Sequence, residues 1–306
     1  MPFRETNRSQ PLSRPAVSII LCSQGLRQSF GAALGSALAQ DAASFEVIVV
    51  DDSVAAKGWL SGSGCSDLMS HPRVRLVPSH LSRGCAAAKN AGLRAARGDW
   101  VCYLDDDNRY LCGKVSAQLA LAQASCSPVV LCGLEVRVGI RRRRRQVAKA
   151  RFTGDELLLD VLADTNVIFH RREGAPAWDE ELGTADDACY FQALVEMHRL
   201  DSVPNVREPL VIYDAHRGSR ANRDGKRVAR GLRRLLVRWS ARYGLRSRRI
   251  LLLRALVNGT RFRTGAWWRW AFLASRLACL GGWRELRFIA NVALAKLPFF
   301  RRWVVT

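Results

Sequence analysis

Asp105, Asp106, Asp107 and Asn108 follow directly on the apolar stretch Trp100-Val101-Cys102-Tyr103-Leu104. Their side chains are hard oxygen donors of the kind that collect around a divalent cation, with Mg²⁺ or Mn²⁺ the natural fit. A dry, packed strand end does not tolerate three adjacent carboxylates without cations or water to compensate them. The cluster therefore marks an exposed edge that binds something, and a plain solvated turn is the alternative. A second acidic pair, Asp51-Asp52, follows the apolar Val47-Ile48-Val49-Val50. Two strands are thus expected to deliver acids to one rim.

The elements that position these acids alternate. Val17–Cys22 is a β-branched apolar run, Arg27–Ala39 has helical spacing, and Phe45–Val50 is apolar again. This β-α-β order predicts a parallel sheet with its ligand crevice at the carboxyl ends of the strands. Further strands are expected at Arg73–Val77, Trp100–Leu104, Pro128–Val138, Asn166–His170 and Pro209–Tyr213. Helices are expected at Gly84–Ala96, closed by Gly98, and at Lys114–Ala124, Asp155–Leu162 and Ala185–Leu200. The run Arg141–Arg145 reads as an exposed, solvated loop able to meet an anionic acceptor or lipid headgroups.

The 306 residues, 48% of them hydrophobic, allow a sizeable core, in one large α/β domain or in a domain plus an appendage. The net charge of +21 is unevenly spread. Residues 221–306 carry 21 Lys and Arg against two acids, and the remainder balances to +2. Six of the nine tryptophans (239, 267, 268, 270, 283 and 303) lie in this basic tail. There Val228, Leu232, Leu235, Leu236, Trp239 and Tyr243 recur at helical steps, leaving Arg on the other faces. Arg and Trp on short amphipathic helices suit a segment lying in an anionic membrane interface, and packing onto the first domain is the alternative. No stretch reaches the roughly 18 apolar residues of a membrane span, and Met1–Arg14 lacks the apolar core of a secretory signal. The nine cysteines contain no CxxC pair and read as reduced, core-packed thiols. The expected location is the cytoplasm, peripheral on the inner face of the plasma membrane.

Five ordered segments between Ala16 and Ser219 (VSIILCS, FEVIVVDDS, RGCAAAKNAGLRAARGDWVCYLDDDN, WDEEL…ADD and IYDAHRGS) resemble the inverting nucleotide-sugar glycosyltransferases of family 2. The resemblance implies a GT-A fold, Rossmann-like with a mostly parallel sheet and flanking helices, over residues 1–223. A basic amphipathic helical extension would follow at 224–306. It implies transfer of a sugar from a nucleotide-diphosphate donor, UDP-linked, to a glycan or lipid-linked acceptor, as in bacterial cell-surface polysaccharide synthesis. Asp105 and Asp107 match the DxD motif, with Asp107 the first choice as direct metal ligand and Asp106 beside the donor. Asp51 and Asp52 match the acid pair that meets the nucleobase, with Cys22 and Ser23 completing the pocket. Here Cys22-Ser23-Gln24 replaces the family's usual Pro-Thr-Tyr/Asn turn.

Arg83 and Lys89 match the cationic block of the donor site, where they would pair with phosphate or with the rim carboxylates. Lys89 stands where the family has Arg, without the bidentate fork, and a solvated helix face is its alternative. His216 and Arg217 match the loop that closes over the diphosphate, with His216 a further metal ligand. An inverting transfer needs a carboxylate base, and the match places it at Asp187, with Asp186 in place of the usual Glu and the two roles exchangeable. Two other classes compete: a catalytically inactive relative acting as a scaffold, and a basic nucleic-acid-binding protein, which leaves the acid clusters unexplained.

Overall fold

The computed structural model describes residues 14–23, 29–42, 44–53, 65–78, 84–145, 149–153, 164–182 and 186–214. The strands β1 (Val17–Ser23) and β2 (Phe45–Asp51) are apolar on both faces and buried along almost their whole length. Such strands belong in the middle of a sheet covered by helices. β1 pairs in parallel with β2 on one side and with β4 (Trp100–Asp105) on the other, and β3 (Val74–Pro78) extends β2 in parallel. Fully buried side chains such as Ile19, Ile20, Leu21, Val47 and Ile48 form the centre of the core. Each contributes about 1.5–3 kcal/mol relative to exposure.

Beyond β4 the sheet changes character. β9 (Phe169–Arg171) runs antiparallel between β4 and β6 (Val129–Val138), and β10 (Ser202–Asp214) runs parallel to β6. β5 (Asn108–Tyr110) and β8 (Arg151–Thr153) pair antiparallel with β10. The sheet is therefore mixed, where a mostly parallel one was expected.

Helix α1 (Phe30–Leu38) buries Phe30, Ala33, Leu34 and Ala37, one apolar stripe of helical spacing. A short α2 (Ser66–Met69) precedes β3. The Ala-rich α3 (Cys85–Ala95) lies close on β1 and β2, where a Cβ on Gly92 would come 2.4 Å from the Ile20 side chain. α4 (Lys114–Ala124) and α5 (Asp186–Met197) complete the described helices. None is long and apolar enough to cross a membrane.

Several expectations are corrected. Arg141–Arg145 is not a loop but the strand β7, paired antiparallel with β6 across a two-residue turn. Backbone pairing absorbs the run because every second peptide group finds a partner whatever the side-chain charge. Asn166–His170 is not one strand: a 3₁₀ turn, Thr165–Val167, leads into the short β9. Gly98 does not close α3, which ends at Ala96 in extended backbone. Gly98 instead allows close approach to β1, since a Cβ there would sit 2.6 Å from Ser18 N. The helix expected at 155–162 and the tail from residue 215 lie outside the described residues. Of the described cysteines, Cys65, Cys102, Cys132 and Cys189 are buried, whereas Cys85, Cys112 and Cys126 are exposed rather than core-packed.

Candidate active site

The carboxyl ends of the three central parallel strands are level. Ser23 of β1 lies opposite Asp51 of β2, and Cys22 lies opposite Asp105 of β4. The acids therefore meet on one rim, as the β-α-β order predicts. The three consecutive aspartates are not equivalent. Asp106 turns inward, is 8% exposed and accepts the Ser23 hydroxyl at 2.8 Å, while Asp107 remains partly exposed. Asp105 is gripped by Asn166, whose Oδ1 accepts its backbone N–H at 2.8 Å and whose Nδ2 donates to its Oδ2 at 3.0 Å. Burial pushes the Asp105 carboxyl up to about 6, with Lys89 pulling it down and Asp164 and Asp107 adding to the rise. Asp52 is buried, and its N–H donates to the Ser23 carbonyl at 2.8 Å. Asp51 accepts from Ser53 N at 2.9 Å, closing a local turn.

Helix α3 brings a cation into this acid field. Lys89 is 3% exposed, donates to Thr165 Oγ1 at 3.0 Å and Asp186 Oδ2 at 3.4 Å, and stands 4.1 Å over the Trp178 ring. Burial alone would drive off its proton, but the carboxylates of Asp186 and Asp105 outweigh burial and raise its pKa. It is thus not a solvated helix face: its partner here is a rim carboxylate. The first turn of α5 carries Asp186 and Asp187. Burial first, then Asp186 and Asp164, push the Asp187 carboxyl up to about 7, against the pull of Lys89 and a 2.8 Å hydrogen bond from Ala188 N. A carboxylate so placed can take a proton near neutral pH.

Below the acids lies an aromatic floor. Trp178 stacks on Tyr190 with centroids 3.9 Å apart, and Tyr103 meets both edge-on. Asn90 staples the Trp178 backbone to α3, accepting from Trp178 N at 2.8 Å and donating to Trp178 O at 3.0 Å and Glu180 at 2.9 Å. Under it Tyr103, Tyr190 and His170 Nε2 form a closed triangle with sides of 2.9, 3.0 and 3.2 Å. His170 Nδ1 lies 2.8 Å from the Arg171 carbonyl, which can only accept. The proton is therefore on Nδ1, and Nε2 accepts from a tyrosine. Burial holds His170 neutral, at about 4.

Of the sequence-derived site residues, Cys22, Ser23, Asp51, Asp52, Asp105, Asp106 and Asp107 share the strand ends, and Lys89, Asp186 and Asp187 join them electrostatically. Arg83, His216 and Arg217 lie outside the described residues. Sequence reading missed Asp164 and Asn166. Asp164 caps the 3₁₀ turn by accepting Asn166 N at 2.9 Å and Nδ2 at 2.6 Å. The Asp-Thr-Asn spelling, an Asx-type turn signal, was the clue.

Among the described residues no three His, Cys, Asp or Glu side chains form a metal cage. A small divalent cation shared with a diphosphate needs only one or two protein carboxylates, and Asp105 and Asp107 supply oxygen donors of that type. A buried Asp105 carboxyl already pushed up to about 6 by burial and its acidic neighbours suits a site completed by a cation.

A mixed α/β sheet with acids gathered at the ends of its parallel strands defines the GT-A class of nucleotide-handling proteins. The protein family model "Glycosyl transferase family 2" matches residues 18–183, and the chain belongs to that family. It is 30% identical over 156 residues to the succinoglycan biosynthesis protein ExoO of Rhizobium meliloti, covering 51% of this chain and 44% of that protein. It is 28% identical over 103 residues to the Escherichia coli UDP-Glc:alpha-D-GlcNAc-diphosphoundecaprenol beta-1,3-glucosyltransferase WfaP, covering 34% and 39%. The matches span less than half the length of these curated relatives. In fold, the chain is similar to Staphylococcus aureus TarS 1-349 in complex with UDP-GlcNAc, with a TM-score of 0.62 at 14% identity over 94% of this chain and 89% of that one. It is also similar to the Pyrobaculum calidifontis mannosyltransferase PcManGT in complex with GDP-Man and Mn²⁺, with a TM-score of 0.57 at 18% identity over 97% and 87%.

Proposed function

We propose that the protein is an inverting glycosyltransferase that moves a sugar from a UDP-linked donor to a glycan or lipid-linked acceptor in bacterial cell-surface polysaccharide synthesis. The observation that carries this is the placement of Asp186 and Asp187 on the first turn of α5, with Lys89 lying between them and the acid rim of β4. The UDP donor and lipid-linked acceptor are inferred from the name of WfaP, and polysaccharide synthesis from that of ExoO.

Asp187 takes the proton from the acceptor hydroxyl as its oxygen bonds to the sugar and the sugar–diphosphate bond breaks on the opposite face. Lys89 pairs with Asp186 at 3.4 Å, and the neighbouring Asp186 carboxylate helps keep Asp187 basic enough for the task. Asp52, Cys22 and Ser23 at the ends of β2 and β1 contact the nucleobase, and Asp106 fixes Ser23. Asp105 and Asp107, with His216, would hold Mg²⁺ or Mn²⁺, and Arg83 and Arg217 would meet the diphosphate. When bound, the cation offsets the charge that builds on the leaving diphosphate. Residues 1–223 form the catalytic domain, and the basic tail at 224–306 associates with the inner face of the plasma membrane.

A thermal-shift screen of nucleotide diphosphates with and without Mn²⁺ tests the donor assignment. A selective, metal-dependent rise with UDP is expected, and no response to any nucleotide would refute the reading. Removal of residues 224–306 should release the protein from anionic membranes and spare donor binding, as seen by liposome co-sedimentation. Unfolding of the shortened chain would assign the tail to the core instead.

A further inference from the structure

The hairpin of β6 and β7 serves none of the chemistry above, yet its composition is unusual. Its turn is Gly139-Ile140, with Gly139 in the left-handed region at φ +58°. Such a turn needs glycine first and accepts any polar residue second. This chain places isoleucine there, 99% exposed. Five consecutive arginines follow, of which Arg141 and Arg142 are exposed. Among the described residues β7 pairs with no strand other than β6. Charges on an edge strand can simply block pairing with other chains, but an apolar side chain held in water at the tip works against that purpose.

The topology gives the hairpin a direction. β6 is antiparallel to β9, which is antiparallel to β4, so β6 runs the same way as β4. The shared partner Phe169 sets Val130 level with Cys102, which puts Gly133 at the level of Asp105. The five residues after Gly133, up to Val138, add about 16 Å of strand before the turn. The tip therefore extends past the level of the acid rim.

We propose that this hairpin docks the protein on an anionic lipid bilayer, with Ile140 entering the boundary between headgroups and acyl chains and Arg141 and Arg142 at the headgroup phosphates. A bilayer offers both halves of the match within a few ångströms, apolar depth below a layer of negative charge. A nucleic acid would satisfy the arginines but leave Ile140 in water. Docking of this kind turns the open ends of β1, β2 and β4 toward the membrane surface. The surface is separate from the tail, and the proposal does not depend on the assigned reaction.

The test is co-sedimentation of the full chain with phosphatidylcholine vesicles with and without phosphatidylglycerol, comparing wild type, Ile140→Ser and the double variant Arg141→Gln, Arg142→Gln. The tail is intact in all three, and thermal denaturation checks that the fold is unchanged. Wild type should bind only the anionic vesicles. Ile140→Ser should lower the partition coefficient about tenfold through lost apolar insertion, and the double variant about thirtyfold through two lost charges. Wild-type partition in both variants would overturn the proposal. A parallel titration with duplex RNA closes the alternative: loss in the double variant on both RNA and vesicles, with Ile140→Ser unchanged on both, would mark the strand as a general polyanion site and exclude bilayer docking.

Discussion

Replacing Asp186 by Asn separates the two neighbouring acids by the pH dependence of transfer. In the wild type the Asp187 carboxyl is pushed from 3.8 up to about 7, which at order of magnitude is a penalty of roughly 4 kcal/mol on its ionised form. Burial is the larger cause and the Asp186 charge the next. The amide keeps the size of Asp186 but removes that like charge. It also frees the Lys89 ammonium, 3.4 Å from Asp186 Oδ2 in the wild type, to act on the remaining carboxylates. Both changes favour ionised Asp187. A neighbouring charge of this kind shifts a pKa by about one unit or more, so the acid limb of the kcat/KM profile should move from about pH 7 toward about pH 6. The ratio of rates at pH 6 and pH 8 then rises about fivefold, because the ionised fraction at pH 6 goes from about a tenth to about a half. Lys89 keeps Thr165 and the Trp178 ring, so the fold should hold. The assay is release of nucleotide diphosphate from donor plus acceptor between pH 5 and pH 9, with Asp187→Asn as the inactive control that still binds donor. A limb that stays put or moves upward would refute Asp187 as the titrating base. Loss of transfer at every pH with donor binding intact would transfer that role to Asp186.

Asp107→Ala should weaken donor binding at least tenfold in the presence of Mn²⁺ and abolish the metal dependence, measured by calorimetry with and without the ion; undiminished metal-dependent binding sinks the ligand assignment. His170 is held neutral, its pKa lowered from 6.5 to about 4. A group that protonates more readily when unfolded makes stability fall as pH drops, here between 6.5 and 4, by up to about 3 kcal/mol. Urea unfolding at pH 7 and pH 4.5 should therefore show a shallower acid loss in His170→Gln than in wild type, and identical slopes would remove His170 from the balance. Gly98→Ala should destabilise the fold by about 1–3 kcal/mol, read as a lowered Tm, because its Cβ would meet Ser18 N at 2.6 Å and Val17 C at 2.7 Å, both backbone atoms; an unchanged Tm would show that the β4 entry can shift.

The strands of the central sheet and the acids at their ends were legible in the sequence because both signals are local. Val17–Ser23, Phe45–Asp51 and Trp100–Asp105 are apolar runs closed by polar residues, and a buried strand must end where carboxylates begin. Lys114–Ala124 was likewise readable from its helical spacing. The antiparallel half of the sheet was not, because pairing direction depends on which strand lies beside which: β9 separates β4 from β6 although 23 or more residues of sequence lie between any two of them. The same applies to the five arginines, whose charge argued for a loop while the backbone partner on β6 made them a strand. At the site, the sequence determined residue types and approximate places. Only the tertiary structure decided that Lys89 is buried against Asp186, that Asp164 joins the acid field, and that the Asp187 carboxyl lies near 7 while Asp105 lies near 6. Proton affinity is set by desolvation and by charges distant in the chain, and those are consequences of packing rather than of neighbouring letters.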